Sequence, residues 1–194
     1  VLQFVSASVR VKMVGEYVCT LSEELQKRAK EEINEDPERR AEDIQHIRDW
    51  NRDDDWTILR FLRGCKFSLQ RTKEKLDMFY TCKSLCPEWY KNRDPQDKKM
   101  RAILELGMFL PLPGYDNQGR KVVIIRTAKH DPKVTSMDEV FKATHFISDI
   151  LWLEDEQMSI TGVVQMLDME NITAAHGLQM SPALVKKAMT IWQV

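Results

Sequence analysis

Apolar residues recur at steps of three and four between positions 20 and 85, which is the spacing of amphipathic helices. Helix-start signals divide this stretch into four predicted helices, and Gly64 ends the third of them. A small helical domain is therefore predicted over residues 20–92. The start signals are, in chain order, Ser22, Asp36-Pro37, Asp53 to Asp55, and Ser68.

The pattern changes after the polar segment 91–95, which is the predicted domain boundary. Beyond it, short apolar runs that indicate strands alternate with helical spacing, and turn-forming residues fill positions 113–119. The predicted elements are strands over 108–112, 121–126 and 160–168, a helix over 136–153 and a helix from Pro182.

This order predicts an α/β domain over residues 93–194, with a mixed, largely parallel sheet and covering helices. The strand over 160–168 is apolar on both faces, as in a parallel strand that is covered on both sides. We expect this domain to be incomplete at its C-terminus, because the strand–helix–strand order requires a further strand. Residues 1–19 are predicted to be a disordered extension, with Met13 as a plausible start.

Two hydroxyls interrupt the apolar stripe of the predicted helix over 136–153, at Thr144 and Ser148. Each hydroxyl either bonds back to the carbonyl one turn earlier, or orients a ligand in an apolar pocket. Val163 and Leu167 share one face of the last strand. They form either part of the buried core or part of a pocket wall.

Composition narrows the classes of function. A net charge of −1 argues against bulk nucleic-acid binding. Four cysteines are too few for a disulfide framework and fit a reducing cytosol. No apolar stretch approaches the roughly 20 residues that span a bilayer.

Three patterns suggest catalysis or metal binding, and each is incomplete. Cys65 and Arg71 have the spacing of a phosphatase loop, but bulky residues crowd the positions between them. Cys82 and Cys86 lack a second ligand pair for zinc. A carboxylate and histidine set has no recognisable nucleophile beside it; it comprises Asp168, Glu170 and His176. We therefore expect no enzyme activity, no metal and no cofactor.

Basic residues cluster on the third and fourth predicted helices. Such a run is typical of a solvated helix face, and its alternative is a patch that docks on an anionic membrane. The residues are Arg60, Arg63, Lys66, Arg71, Lys73 and Lys75.

Three segments resemble the CRAL-TRIO family of lipid-binding proteins: residues 54–67, 114–126 and 162–176, the last followed by Met180-Ser-Pro182. The resemblance implies a small N-terminal helical domain followed by a CRAL-TRIO lipid-binding domain. It also implies a set of residues that face the ligand. These are Phe141, Thr144, Ser148, Val163, Leu167, Met180, Ala188 and Ile191.

The expected function is passive transport of a hydrophobic lipid, tocopherol-, retinoid- or phospholipid-like, between membranes. The family also implies binding to a phosphoinositide-containing membrane surface. We expect a cytoplasmic monomer that docks transiently on endosomal or plasma membranes. The alternatives are a phosphoinositide-binding adaptor in membrane traffic, or a non-functional truncated fragment.

Overall fold

The computed structural model of the chain describes residues 17–193. Its first part is a group of packed helices, with a core formed by Ile47, Ile58, Leu62 and Leu76. The helices are α1 (Glu23–Ile33), α2 (Arg40–Trp50), α3 (Asp55–Gly64) and α4 (Leu69–Leu85).

Local sequence explains where these helices begin. The Ser22 hydroxyl accepts a hydrogen bond from the amide of Leu25 at the start of α1, and Asp54 accepts one from Thr57 at the start of α3. The prediction at Ser68 is only half right, because Ser68 precedes α4 but its side chain makes no capping hydrogen bond. The second helix starts at Arg40, three residues after the predicted Pro37.

Two short helices connect the first part to the sheet: α5 (Pro87–Tyr90) and α6 (Lys98–Glu105). Helix α6 lies beyond the predicted boundary segment and was not predicted. The Asp97 side chain caps its start, and Met100, Ile103 and Leu104 on its inner face are buried. Trp89 of α5 is fully buried.

The sheet has three strands in the order β1 (Phe109–Tyr115), β2 (Lys121–Arg126) and β3 (Val163–Asp168). Strands β1 and β2 pair antiparallel, with Phe109 opposite Ile125, whereas β2 and β3 pair parallel. The described sheet is therefore mixed, with one pairing of each kind, rather than largely parallel.

The last strand begins three residues later than predicted. Met158–Thr161, part of which was predicted as strand, forms a helical turn, α8. Gly162 follows with a φ of +84° and a ψ of −172°, a conformation that is accessible almost only to glycine. The chain turns there from α8 into β3.

Helix α7 (Met137–Glu154) connects β2 to this turn. Ser136 and Glu139 form a capping box at its start, which confirms the predicted helix. After β3 come α9 (Ala174–Gln179), which was not predicted, and α10 (Pro182–Trp192), which starts at the predicted proline.

Contacts cross the predicted boundary in several places, of which two join helices. Helix α5 packs against α7, and α1 packs against α8 through Ala29, Ile33 and Ile160. Most of the predicted extension, residues 1–16, lies outside the described residues. Tyr17, the first described residue, is half-buried and packs edge-on against Trp56 at a centroid distance of 4.8 Å.

Candidate functional site

Helix α7 packs on two sides and is left partly open between them. On one side Val140, Ala143 and Ile147 are buried, the last two in a cluster with Val123 of β2 and with α6. On the other side Phe141 is buried against Trp89. Thr144 and Ser148 occupy the strip between these sides, and both are half-buried.

The two hydroxyls of this strip differ in their partners. The Thr144 hydroxyl donates to the carbonyl of Val140 at 2.9 Å, one turn earlier, which is the back-bonded geometry that the sequence left open. The Ser148 hydroxyl has no hydrogen-bond partner within residues 17–193. Ser148 therefore carries free hydrogen-bonding capacity in a largely apolar strip.

Three of the residues expected to face a ligand come together in a packed cluster. Phe141, Ala188 and Ile191 are each at most 8% exposed, and they lie against Trp89, Cys82 and Cys86. The Phe141 and Trp89 ring centroids are 4.7 Å apart. In this structure the three side chains join α10 to α7 and α5.

The residues expected on β3 and after it are more open. Val163 packs against the cluster beneath the sheet, whereas Leu167, on the same face, is 58% exposed. Leu167 pairs with Ile125, whose side chain packs against that cluster, so this face of the sheet is the one that α7 covers. Met180 follows α9 and is 37% exposed.

Two cavities among the described residues are small. One, of about 10 Å³, lies between α3 and the end of α7 and is lined by Trp56 and Trp152. The other, of about 30 Å³, lies beside Arg126 and Asp168. Cavities of this size have room for water and not for a lipid.

A buried ionic network joins the two parts of the chain, and sequence reasoning missed it. Arg63 of α3 binds the Glu35 carboxylate through two hydrogen bonds of 2.8 and 3.0 Å. The same guanidinium contacts Glu156 and Ser159, each at 3.0 Å, in the segment between α7 and β3. Arg40 also binds Glu35, at 2.6 Å.

This network corrects the prediction of a solvated face at one position, Arg63. Arg63 is 3% exposed, while Lys66 and Arg71 are exposed and Lys73 and Lys75 are intermediate. Helical spacing shows which residues share a face but not which distant carboxylate lies opposite. Nothing local in the sequence marks Glu35 and Glu156 as partners of Arg63.

The network also shifts the pKa of Glu156. Burial by itself raises this pKa, but hydrogen bonds from Thr20 and Tyr17 and the charge of Arg63 outweigh burial. The net effect holds the pKa of Glu156 below its usual range, so that the carboxylate stays charged in the folded chain.

The candidate catalytic residues have other partners. Nδ1 of His176 accepts from the amide of Thr173 at 3.2 Å and also lies near its hydroxyl, while Nε2 contacts the carbonyl of His130. Asp168 accepts from the amide of Glu170, which is exposed. Cys65 is buried at the end of α3 while Arg71 is exposed on α4.

Metal-ligand geometry is likewise absent from the described part of the chain. No group of three or more histidine, cysteine, aspartate or glutamate side chains within residues 17–193 is arranged to hold a metal ion. All four cysteines, including Cys82 and Cys86, are free thiols.

Comparison with known families identifies the architecture. Residues 107–194 match the model of the CRAL/TRIO domain, and residues 36–100 match the model described as "Pinta-like, UBA domain". The second half of the chain is thus a CRAL/TRIO domain, preceded by helices, and the resemblance seen in the sequence is confirmed.

Similar proteins include the human alpha-tocopherol transfer protein-like protein, at 31% identity over 91% of this chain and 54% of the relative. Clavesin-1 of Xenopus laevis is 27% identical over 81% of this chain and 50% of the relative. Clavesin-2 of Rattus norvegicus is 26% identical over 87% of this chain and 54% of the relative. The chain spans about half the length of the curated relatives it matches.

Among the described helices, none combines the length and the apolar character needed to cross a bilayer.

Proposed function

We propose that this protein binds a hydrophobic lipid against the open face formed by α7 and β3, and carries it between membranes. The family match supports a lipophilic ligand, and the name of the human relative favours a tocopherol-like one. A retinoid-like or phospholipid-like ligand fits the same face.

The observation that carries this proposal is the half-open strip of α7 at Thr144 and Ser148. It places hydroxyl groups in a largely apolar surface, and the Ser148 hydroxyl is unused. Ligand sites typically combine an apolar lining with a few polar groups that fix orientation. Leu167 adds a side chain that is 58% exposed on the face of the sheet that α7 covers.

In this proposal the chemistry is passive. Burial of a lipid chain contributes about 0.8 kcal/mol per CH₂ group removed from water. The Ser148 hydroxyl orients a polar end of the ligand, and no bond is made or broken. Phe141, Ala188 and Ile191 support the face from behind by fixing α10 to α7, while Val163, Leu167 and Met180 border it.

Native mass spectrometry of the purified chain after incubation with a lipid extract tests this proposal. Ser148→Phe fills the strip and should abolish lipid occupancy. Lys142→Phe places the same ring on another face of α7 and should leave occupancy unchanged. Equal occupancy in the two variants, or no lipid on the unmodified chain, would remove this face as the binding site.

A second candidate, an adaptor that reads phosphoinositide membranes, is favoured by the exposed basic side chains of Lys66 and Arg71. A carrier moves labelled lipid between donor and acceptor vesicles. An adaptor binds phosphoinositide vesicles without moving lipid, transiently and at the cytoplasmic surface of endosomal or plasma membranes. A chain that does neither is a non-functional fragment.

A further inference from the structure

Three cations lie near Asp149 of α7, away from the half-open strip of this helix. Arg60 comes from α3, Lys83 from α4 and Arg93 from the segment after α5. Asp149 of α7 bonds to Arg93 at 2.8 Å and interacts electrostatically with Lys83 and Arg60. We call Arg60, Lys83 and Arg93 the cation cluster.

The hydrogen-bond donors of the cation cluster are largely unused. The Nη1 atom of Arg93 is buried and has no hydrogen-bond partner in the described part of the chain. Within residues 17–193, neither Arg60 nor Lys83 has a carboxylate at ion-pair distance, and the Lys83 ammonium lies over the rings of Phe79 and Tyr90 at 4.1 and 5.4 Å.

The carboxylates near the cation cluster already accept hydrogen bonds, whereas most donors of the cluster have no such partner among the described residues. Asp53 accepts hydrogen bonds from Tyr80 and, at 2.7 Å, from Asn51. Asp54 accepts from both the amide and the hydroxyl of Thr57 at the start of α3. Asp149 is therefore the one nearby carboxylate, among the described residues, that bonds directly to the cluster.

Burial makes this arrangement costly. Removal from water lowers the pKa of Lys83 and that of Arg60, although Asp149 opposes both shifts. A buried donor without a partner destabilises the folded chain, and more so when it is charged. A ligand that is rich in acceptor oxygens and negatively charged would recover that free energy.

We propose that the cation cluster is a binding site for a phosphate group. A tetrahedral phosphate presents oxygens in several directions, and so accepts from side chains that arrive from three different elements. Arginine and lysine are the usual partners of phosphate. The phosphate belongs to a soluble phosphate compound or to a lipid head group at a membrane surface.

This site does not depend on the lipid face. Its residues differ from those proposed to face a hydrophobic lipid, and Asp149 lies on a different side of α7 from Ser148. A negative result for the lipid face therefore does not contradict the phosphate site, and the reverse also holds.

His145 provides a direct readout of phosphate binding. Its ring lies 5.1 Å from the ring of Tyr90, and burial lowers its pKa, with the charges of Arg93 and Lys83 adding to that effect. A bound phosphate brings negative charge, which favours the imidazolium form. We expect inorganic phosphate to raise the pKa of His145 in an NMR titration, while chloride at equal ionic strength does not.

Matched variants locate the site. Arg60→Gln and Lys83→Gln should each weaken phosphate binding about tenfold, the loss expected for one charge-assisted hydrogen bond. Lys30→Gln removes the same charge from an exposed position of α1, outside both basic surfaces, and should leave binding unchanged. An unmoved His145 titration, or equal losses in Arg60→Gln and Lys30→Gln, would overturn the proposal.

Vesicles distinguish the two sources of phosphate. Phosphatidylcholine vesicles that contain phosphatidic acid present a phosphate monoester, whereas phosphatidylserine supplies negative charge without one. Binding to the first alone, lost in Arg60→Gln, identifies a lipid head group. A response to inorganic phosphate without vesicle binding identifies a soluble source, and no response in either experiment refutes the site.

Discussion

Arg63 is 3% exposed, and its guanidinium bonds to groups from widely separated parts of the chain. Glu35 lies 28 residues before it in sequence, and Glu156 lies 93 residues after it. Two carboxylates and the Ser159 hydroxyl together satisfy most of its donors. A buried charge with this many partners is tolerated, but removal of the cation leaves Glu35 with Arg40 alone and Glu156 without a cation at ion-pair distance among the described residues.

Arg63→Met should therefore lower the free energy of unfolding by about 3–5 kcal/mol. Urea denaturation followed by circular dichroism measures the change. Arg71→Met, at an exposed position of α4, should change it by no more than about 0.5 kcal/mol. Similar losses in both variants would show that the network contributes little.

Glu156 makes the folded state sensitive to acid. Because its pKa is lower in the folded chain than the unfolded value of about 4.3, its contribution is present above that pH. The contribution is lost as pH falls through the folded-state pKa. We expect Glu156→Gln to flatten the decline of stability in acid, in urea denaturation at a series of pH values.

The exposed Glu24 supplies the control for this measurement. Glu24→Gln should keep the acid dependence of the unmodified chain. If both glutamine variants follow the unmodified curve, Glu156 is not a source of acid sensitivity.

At the scale of elements, α7 connects the parts of the molecule because each of its sides meets a different partner. One side meets the sheet and α6, and another meets α5 and α10 around Trp89. The Trp89 indole also donates to Asp138 at 2.7 Å, near the start of α7. The strip between these sides stays half-buried because packing uses only its flanks.

Phe141→Ala tests the packed side of α7. Phe141 is 5% exposed and contacts Trp89, so its truncation should cost about 3–5 kcal/mol of unfolding free energy. Ser148→Ala, on the half-open strip, should cost less than about 1 kcal/mol. Thermal or urea denaturation measures both, and a small effect at Phe141 would contradict the packing described here.

Periodicity predicted α7 and α10 because both are long and carry recognisable caps at Ser136 and Ser181. It missed α6 and α9, which have eight and six residues, because so few turns give a weak periodic signal. It also extended the last strand back over α8, where an apolar run fits a strand and a helical turn equally well. Only the backbone at Gly162 distinguishes the two.

The candidate site was predictable in outline and not in detail. Spacing brought Thr144 and Ser148 to one strip of α7, and alternation placed Val163 and Leu167 on one face of β3. Whether a side chain packs or stays open depends on elements distant in sequence, such as α5 against Phe141. The cation cluster escaped prediction for the same reason, since Lys83 and Arg93 meet Asp149 only in the folded chain.

At the scale of the whole molecule, the two parts share buried surfaces. Trp89 is enclosed by both, and the Arg63 network and the contact of α1 with α8 cross the predicted boundary. We expect the chain to unfold in one cooperative transition. Tryptophan fluorescence and far-ultraviolet circular dichroism should give coincident urea curves, and two separated transitions would show independent domains.

The Arg63 network also constrains how such a chain can change over generations. A recombination event, or a designed chimera, that exchanges the leading helices of this protein for those of a relative separates Arg63 from Glu156. The hybrid folds well only if the incoming segment carries a matching cation. Glu35, Arg63 and Glu156 therefore stabilise the fold only when all three are present, although they lie far apart in the sequence.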